Sequence, residues 1–122
     1  MASNRIIRIG PVIMSATLTT NILNPAAAGA GTGYTPTASY MVLRHIRIVN
    51  KTGSAATASL WIGATGANAA GTEFAFQATS IAANSYVDWY GMVRLDSTDF
   101  LVGGAGTGSA LTFEAEGEVG LA

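Results

Sequence analysis

The segment ALTFEAEGEVGL, residues 110–121, decides the fold class. Leu111, Phe113, Ala115, Val119 and Leu121 fall on one parity, and Thr112, Glu114, Glu116 and Glu118 on the other. A period of two sends alternate side chains to opposite faces of a strand. A helix would scatter the three glutamates, and each of Gly117 and Gly120 would cost it roughly 1 kcal/mol against Ala. The segment reads as a strand with one buried and one charged face.

The same period recurs upstream. In YVDWYGMVRL (86–95), Val87, Trp89, Val93 and Leu95 alternate with Asp88, Tyr90 and Arg94. YMVLRHIRIVN (40–50) is the strongest strand by β-branched content. Asn50-Lys51-Thr52-Gly53 reads as a turn into ATASLWIG (56–63), which predicts an antiparallel hairpin. By parity along 40–50, Arg44 and Arg47 fall on opposite faces. A short strand is predicted over 73–78, and another over 100–102.

Near the N-terminus, residues 5–10 and 12–23 read as two extended segments divided by Gly10-Pro11. Residues 24–38 carry Pro25, Pro36 and several glycines, and read as a long loop. Residues 63–72 and 103–108 are further Gly/Ala loops. The sum is about eight mostly antiparallel strands with no major helix. That spacing predicts an all-β chain, a single β-sandwich of jelly-roll-like form. The division expected is an extended N-terminal strand or arm with its loop over 1–38, and a β-sandwich over 39–122, one domain in all. An arm of that kind would add a strand to a neighbouring subunit's sheet edge.

Composition narrows the function. Six Lys and Arg face seven Asp and Glu in 122 residues, for a net charge of −1. Phosphate affinity needs many cations, so a dedicated nucleic-acid binder is not expected. There is no cysteine, which excludes disulfides and thiolate metal sites. No run of apolar residues approaches the length of a membrane-spanning helix. The start lacks the layout of a signal peptide, because Arg5 and Arg8 interrupt the first apolar stretch.

Catalytic chemistry has little to work with. GGAGTG (103–108) lacks the Lys that a phosphate-binding loop needs. His45 is the sole histidine, with no second His or Cys to share a metal and no GxSxG serine to activate. No cofactor, metal or catalytic residue is expected. Two charge sets remain. Glu114, Glu116 and Glu118 form a like-charged row that calls for cations from a neighbouring strand or subunit. Arg5, Arg8, Arg44 and Arg47 supply cations, and Tyr86 and Tyr90 share a face with Asp88. These nine residues, the four arginines, three glutamates and two tyrosines, are the candidate interface. Tyr86 and Tyr90 also admit a carbohydrate-binding reading.

A wider pattern runs over 44–122. A strand ending IRIVN leads through a small-residue turn to SLWIGATG; SIAANSYVDWYGMVRLDSTDFLVGG follows, and ALTFEAEGEV closes it. This resembles small structural proteins of tailed bacteriophages, of the head-decoration or tail-associated type. The resemblance implies a non-enzymatic virion protein, made in the host cytoplasm and located in the virion. It implies a capsid decoration or cement subunit first, and a tail, neck or fibre component as the alternative. The partners implied are further copies of the chain, a trimer by the habit of cement subunits, and the major capsid protein or other virion proteins. No direct nucleic-acid or membrane partner is implied.

Overall fold

The computed structural model describes residues 4–16, 21–23, 38–63, 72–73, 76, 78–96, 99–106, 108 and 110–121. Nine strands are described: β1 (Asn4–Ile13), β2 (Asn21–Leu23), β3 (Ala38–Asn50), β4 (Ala56–Gly63), β5 (Thr72–Glu73), β6 (Thr79–Ile81), β7 (Ser85–Asp96), β8 (Phe100–Ala105) and β9 (Leu111–Leu121). They form two antiparallel sheets. One runs β1-β9-β3-β7; the other runs β2-β8-β4-β5, with β6 also on β4.

The strand order has a simple logic. β5 and β6 pair with opposite ends of β4, at Trp61–Ile62 and at Ala56–Ala58, so they act as one interrupted strand. Counted so, the first strand pairs with the last (β1 with β9), the second with the next to last (β2 with β8), β3 with β7, and β4 with its neighbour. A long antiparallel hairpin rolled up on itself gives this order, which is the jelly roll. The all-β sandwich expected from the alternation holds.

The core lies between the sheets. Ile9, Met41, Leu43, Ile46, Ile48, Leu95, Leu111, Phe113, Ala115 and Val119 come from the first sheet, and Ala58, Leu60, Leu101 and Ala105 from the second. In β9 the buried Leu111, Phe113, Ala115 and Val119 are of the apolar parity of the sequence reading, while Glu114, Glu116 and Glu118 lie on the other face. Trp61 and Val102, cross-strand partners in the second sheet, are buried but stand outside that core, on the sheet's far side.

Three local expectations are corrected. The first is the hairpin of 40–50 with 56–63. β3 lies in one sheet and β4 in the other, so residues 51–55 arch between the layers. Asn50 sets the arch. It is fully buried, its Nδ2 donates to Ser54 O (2.9 Å) and Ile81 O (3.0 Å), and its Oδ1 accepts from Thr52 N (2.9 Å). Asx-turn chemistry at Asn50 is the same for an arch as for a hairpin, and only the long-range bond to Ile81 separates them.

The second correction concerns the N-terminus. Gly10-Pro11 does not end a strand; it forms a bulge inside β1, between Ile9 and Val12. Gly10 has φ +87°, and a Cβ there would stand 2.7 Å from the Phe113 carbonyl oxygen, so glycine is required. β1 pairs with β9 and β2 with β8 of the same chain. Residues 4–13 and 21–23 thus pair with strands of their own chain. Most of the predicted 24–38 loop lies outside the described residues, as does much of the short strand predicted over 73–78. Within that span, Ala78 takes a positive φ of 46°, and Glu73 belongs to β5.

The third is the Gly/Ala loop over 103–108. Gly103 to Ala105 continue β8, with both glycines buried against β4.

Candidate functional site

The outer face of the β1-β9-β3-β7 sheet gathers most of the charge. Arg8, Arg44, Arg47, Asp88, Arg94, Asp96, Glu114, Glu116 and Glu118 lie there, nine of the chain's thirteen Asp, Glu, Lys and Arg residues, together with His45. Among the described residues, the five exposed large hydrophobic side chains, Ile6, Ile13, Tyr86, Tyr90 and Met92, belong to its two edge strands.

A bulge in β3 makes the cluster possible. Relative to β9, β3 carries one extra residue between Leu43 and His45. Met41 and Leu43 are buried before it, and Ile46 and Ile48 after it, so the inward parity shifts by one. Arg44 and His45 therefore both face outward, and Arg47 joins them. This corrects the expectation that Arg44 and Arg47 lie on opposite faces. The signal was present in the sequence: two polar residues between Leu43 and Ile46 break the period of two. Opposite the bulge sits Gly117, where a Cβ would collide with the Val42 carbonyl.

Two of the β9 glutamates, Glu118 and Glu116, meet β3 cations within one chain. Arg44 Nη2 donates to Glu118 Oε2 at 2.8 Å. His45 Nδ1 stands 3.1 Å from Glu116 Oε1, and its Nε2 stands 2.9 Å from Asp88 Oδ1. Arg47 grips Asp88 in a fork, Nε to Oδ1 at 2.7 Å and Nη2 to Oδ2 at 3.0 Å. Such paired N–H donors match a carboxylate's geometry. Glu114 is in register with Arg47, but the fork to Asp88 takes that guanidinium.

Aromatic rings complete the layer. The His45 and Tyr90 rings stack at 4.7 Å between centroids and 16° between planes. The Arg47 guanidinium lies 4.4 Å from the Tyr86 ring centre, and that of Arg94 lies 4.6 Å from the Tyr40 ring centre. Arg94 also donates to Asp96 at 2.8 Å.

Charge states follow from these contacts. Both ring nitrogens of His45 meet carboxylate oxygens, which only accept. A neutral imidazole has one N–H and would turn a lone pair toward one of them. Burial pulls the His45 pKa down, but hydrogen bonds and charge from Asp88 and Glu116 outweigh it and raise it above the ordinary value. The hydrogen bonds from Arg47, and then that from His45, lower Asp88 to about 2.

Of the residues singled out in the sequence, the structure brings Arg8, Arg44, Arg47, Glu114, Glu116, Glu118, Tyr86 and Tyr90 to one face. Arg5 pairs with Val119 through its backbone, and its side chain lies outside the described residues. The hub that the sequence reading missed is Asp88 with His45. Asp88 shares the outer face of β7 with Tyr86 and Tyr90, and its arginine partner comes from β3. Among the described residues no group of His, Asp and Glu side chains is arranged to hold a metal. No described helix is long and apolar enough to cross a membrane. An open depression of about 210 Å³ lies beside Tyr86, lined by Val49, Asn50, Lys51, Asn84 and Ser85.

No family model and no curated protein matches this sequence. Among solved structures, the fold is similar to a chain from the cryo-EM structure of the virus-like particle of Macrobrachium rosenbergii extra small virus, from the giant freshwater prawn. The match covers 100% of this chain and 79% of that one, with a TM-score of 0.53 and 7% sequence identity. At that identity the likeness is one of fold.

Proposed function

We propose that this chain is a non-enzymatic structural subunit of a virus particle. The observation that carries the reading is the jelly-roll wrap: it takes in both ends of the described chain and matches, over the whole chain, a protein that builds a virus-like particle. The outer face of the β1-β9-β3-β7 sheet is the proposed contact surface. It combines arginine, tyrosine and methionine, the residue types enriched at protein interfaces, in a layer whose charges are already balanced. His45 has carboxylates on both nitrogens, which leaves it unsuited to activate a serine.

Within that reading, a capsid decoration or cement subunit is the first assignment, and a tail, neck or fibre component the second. Both rest on the phage-like strand and turn pattern over 44–122, as does threefold order. Expression of the chain, followed by electron microscopy alone and after mixing with virus particles, tests this. Binding to capsids supports decoration, and binding to tails alone supports the second assignment. Closed shells formed by the chain itself support a shell subunit and overturn both finer assignments. A chain that neither assembles nor binds particles overturns the reading. The depression beside Tyr86 favours the carbohydrate-binding alternative, and a glycan-array signal from a particle-inert monomer would establish it.

A further inference from the structure

The outer face carries a sign pattern by strand. β1 contributes Arg8, β9 the glutamate row, and β3 two arginines with His45; on β7 two aspartates outweigh Arg94. In the order β1-β9-β3-β7 the signs run plus, minus, plus, minus. A two-fold axis lying in this face and parallel to the strands carries β1 of one copy over β7 of the other, and β9 over β3. Opposite signs then meet on every strand. An axis across the strands would lay one glutamate row on another.

We propose that this face pairs with a second copy of the same chain about a two-fold axis parallel to its strands. The inference rests on the contact-surface reading above and adds the partner, the symmetry and the register. An axis along the strands preserves height along them, so residues of one cross-strand row meet residues of the same row. Arg8, Glu116, His45 and Tyr90 form one row. Arg8 therefore comes over the partner copy's Tyr90, a cation on an aromatic ring. Ile13, Thr112, Val49 and Tyr86 form another row, and Ile13 comes over Tyr86. Ile13 is 68% exposed, Tyr86 54% and Tyr90 71%, so pairing covers apolar surface that the single subunit leaves in water. The ion pairs within each copy balance most of the charge beforehand, which lowers the cost of covering it.

The chain has no cysteine, so an engineered cross-link is unambiguous. Ile13 and Tyr86 stand on the two edge strands, three strand spacings or roughly 14 Å apart within one chain. A bifunctional thiol reagent of about 8 Å span reaches between facing sheets about 10 Å apart but not across that separation, so it cannot join cysteines there inside one subunit. The full-length Ile13→Cys, Tyr86→Cys double variant, treated at low salt with a bis-maleimide of about 8 Å span, is expected to give a closed covalent dimer as its main product. Each single variant is expected to lose that product. Adding Arg8→Glu is expected to cut the yield by about fivefold or more, because it sets an anion over Tyr90. No cross-link, or a ladder of higher oligomers, overturns the two-fold pairing. Particle binding by the unmodified chain is measured in parallel. Binding without a cross-link sinks the self-pairing alone, and loss of both sinks the virion reading with it.

Discussion

Asp88 receives Arg47 at both carboxylate oxygens, at 2.7 and 3.0 Å, and the two residues are direct cross-strand partners on β7 and β3. The Asp88 side chain is 17% exposed, against 51% for Arg44 in its single contact with Glu118. The first pair is fixed and partly shielded, the second open to water. Asp88→Asn is expected to lower unfolding stability by about 1–2 kcal/mol, since it strips a charge from the fork and from His45. Arg44→Ala is expected to stay within about 0.5 kcal/mol of the parent. Urea unfolding of the two variants checks the ordering.

His45 and Asp88 predict a stability profile with two limbs. The folded pKa of His45 is raised, so its contribution is complete below the ordinary imidazole value and is lost as pH rises through the raised one. Asp88 is lowered to about 2, so its contribution is present above the ordinary carboxylate value and is lost as pH falls toward about 2. Melting temperature from about pH 2 to about pH 9 is expected to fall at both ends. His45→Gln is expected to flatten the alkaline limb and leave the acid limb largely in place. An unchanged alkaline limb in that variant would remove His45 from the account.

Gly117 is expected to be intolerant of even one methyl group. Its added Cβ would meet the Val42 backbone, which the β3 bulge presses against β9. Gly117→Ala is expected to cost about 1–3 kcal/mol, as overpacking does. Gly53 has nothing within 4 Å of such a Cβ, and Gly53→Ala serves as the near-neutral comparison. Thermal denaturation of both variants measures the difference.

Asn50→Ala is expected to loosen the crossing between the sheets. It removes the Asn50 donor from Ile81 O and Ser54 O, of which Ser54 O keeps Thr52 Oγ1, at a cost of about 1–2 kcal/mol. Amide exchange is expected to quicken at Thr52, whose N–H bonds Asn50, and along β6.

These sites mark what the sequence made legible. Alternation in β9 and β7 identified the inward residues Phe113, Ala115, Val119, Val87 and Leu95, because a buried face imposes a strict period of two. The β3 face broke that period at Arg44-His45, and reading straight through it separated Arg44 from Arg47. Asn50-Lys51-Thr52-Gly53 announced a turn, yet a hairpin and an inter-sheet arch use the same local chemistry. The Asn50 bond to Ile81 joins residues 31 positions apart, and nothing local encodes it. The meeting of His45 with Asp88 and Glu116 has the same origin: three strands brought together by strand order, which no single segment carries.

The most direct measurement of the central claim is sedimentation velocity of the intact chain, alone and mixed with virus particles, for the parent and for a variant carrying Arg8→Glu and Tyr90→Ser. Both substitutions are on exposed side chains and spare the core. The account predicts that the parent self-associates or moves with the particles, and that the variant sediments as a folded monomer. A parent that stays monomeric and free of particles, or a variant that assembles as well as the parent, would contradict it.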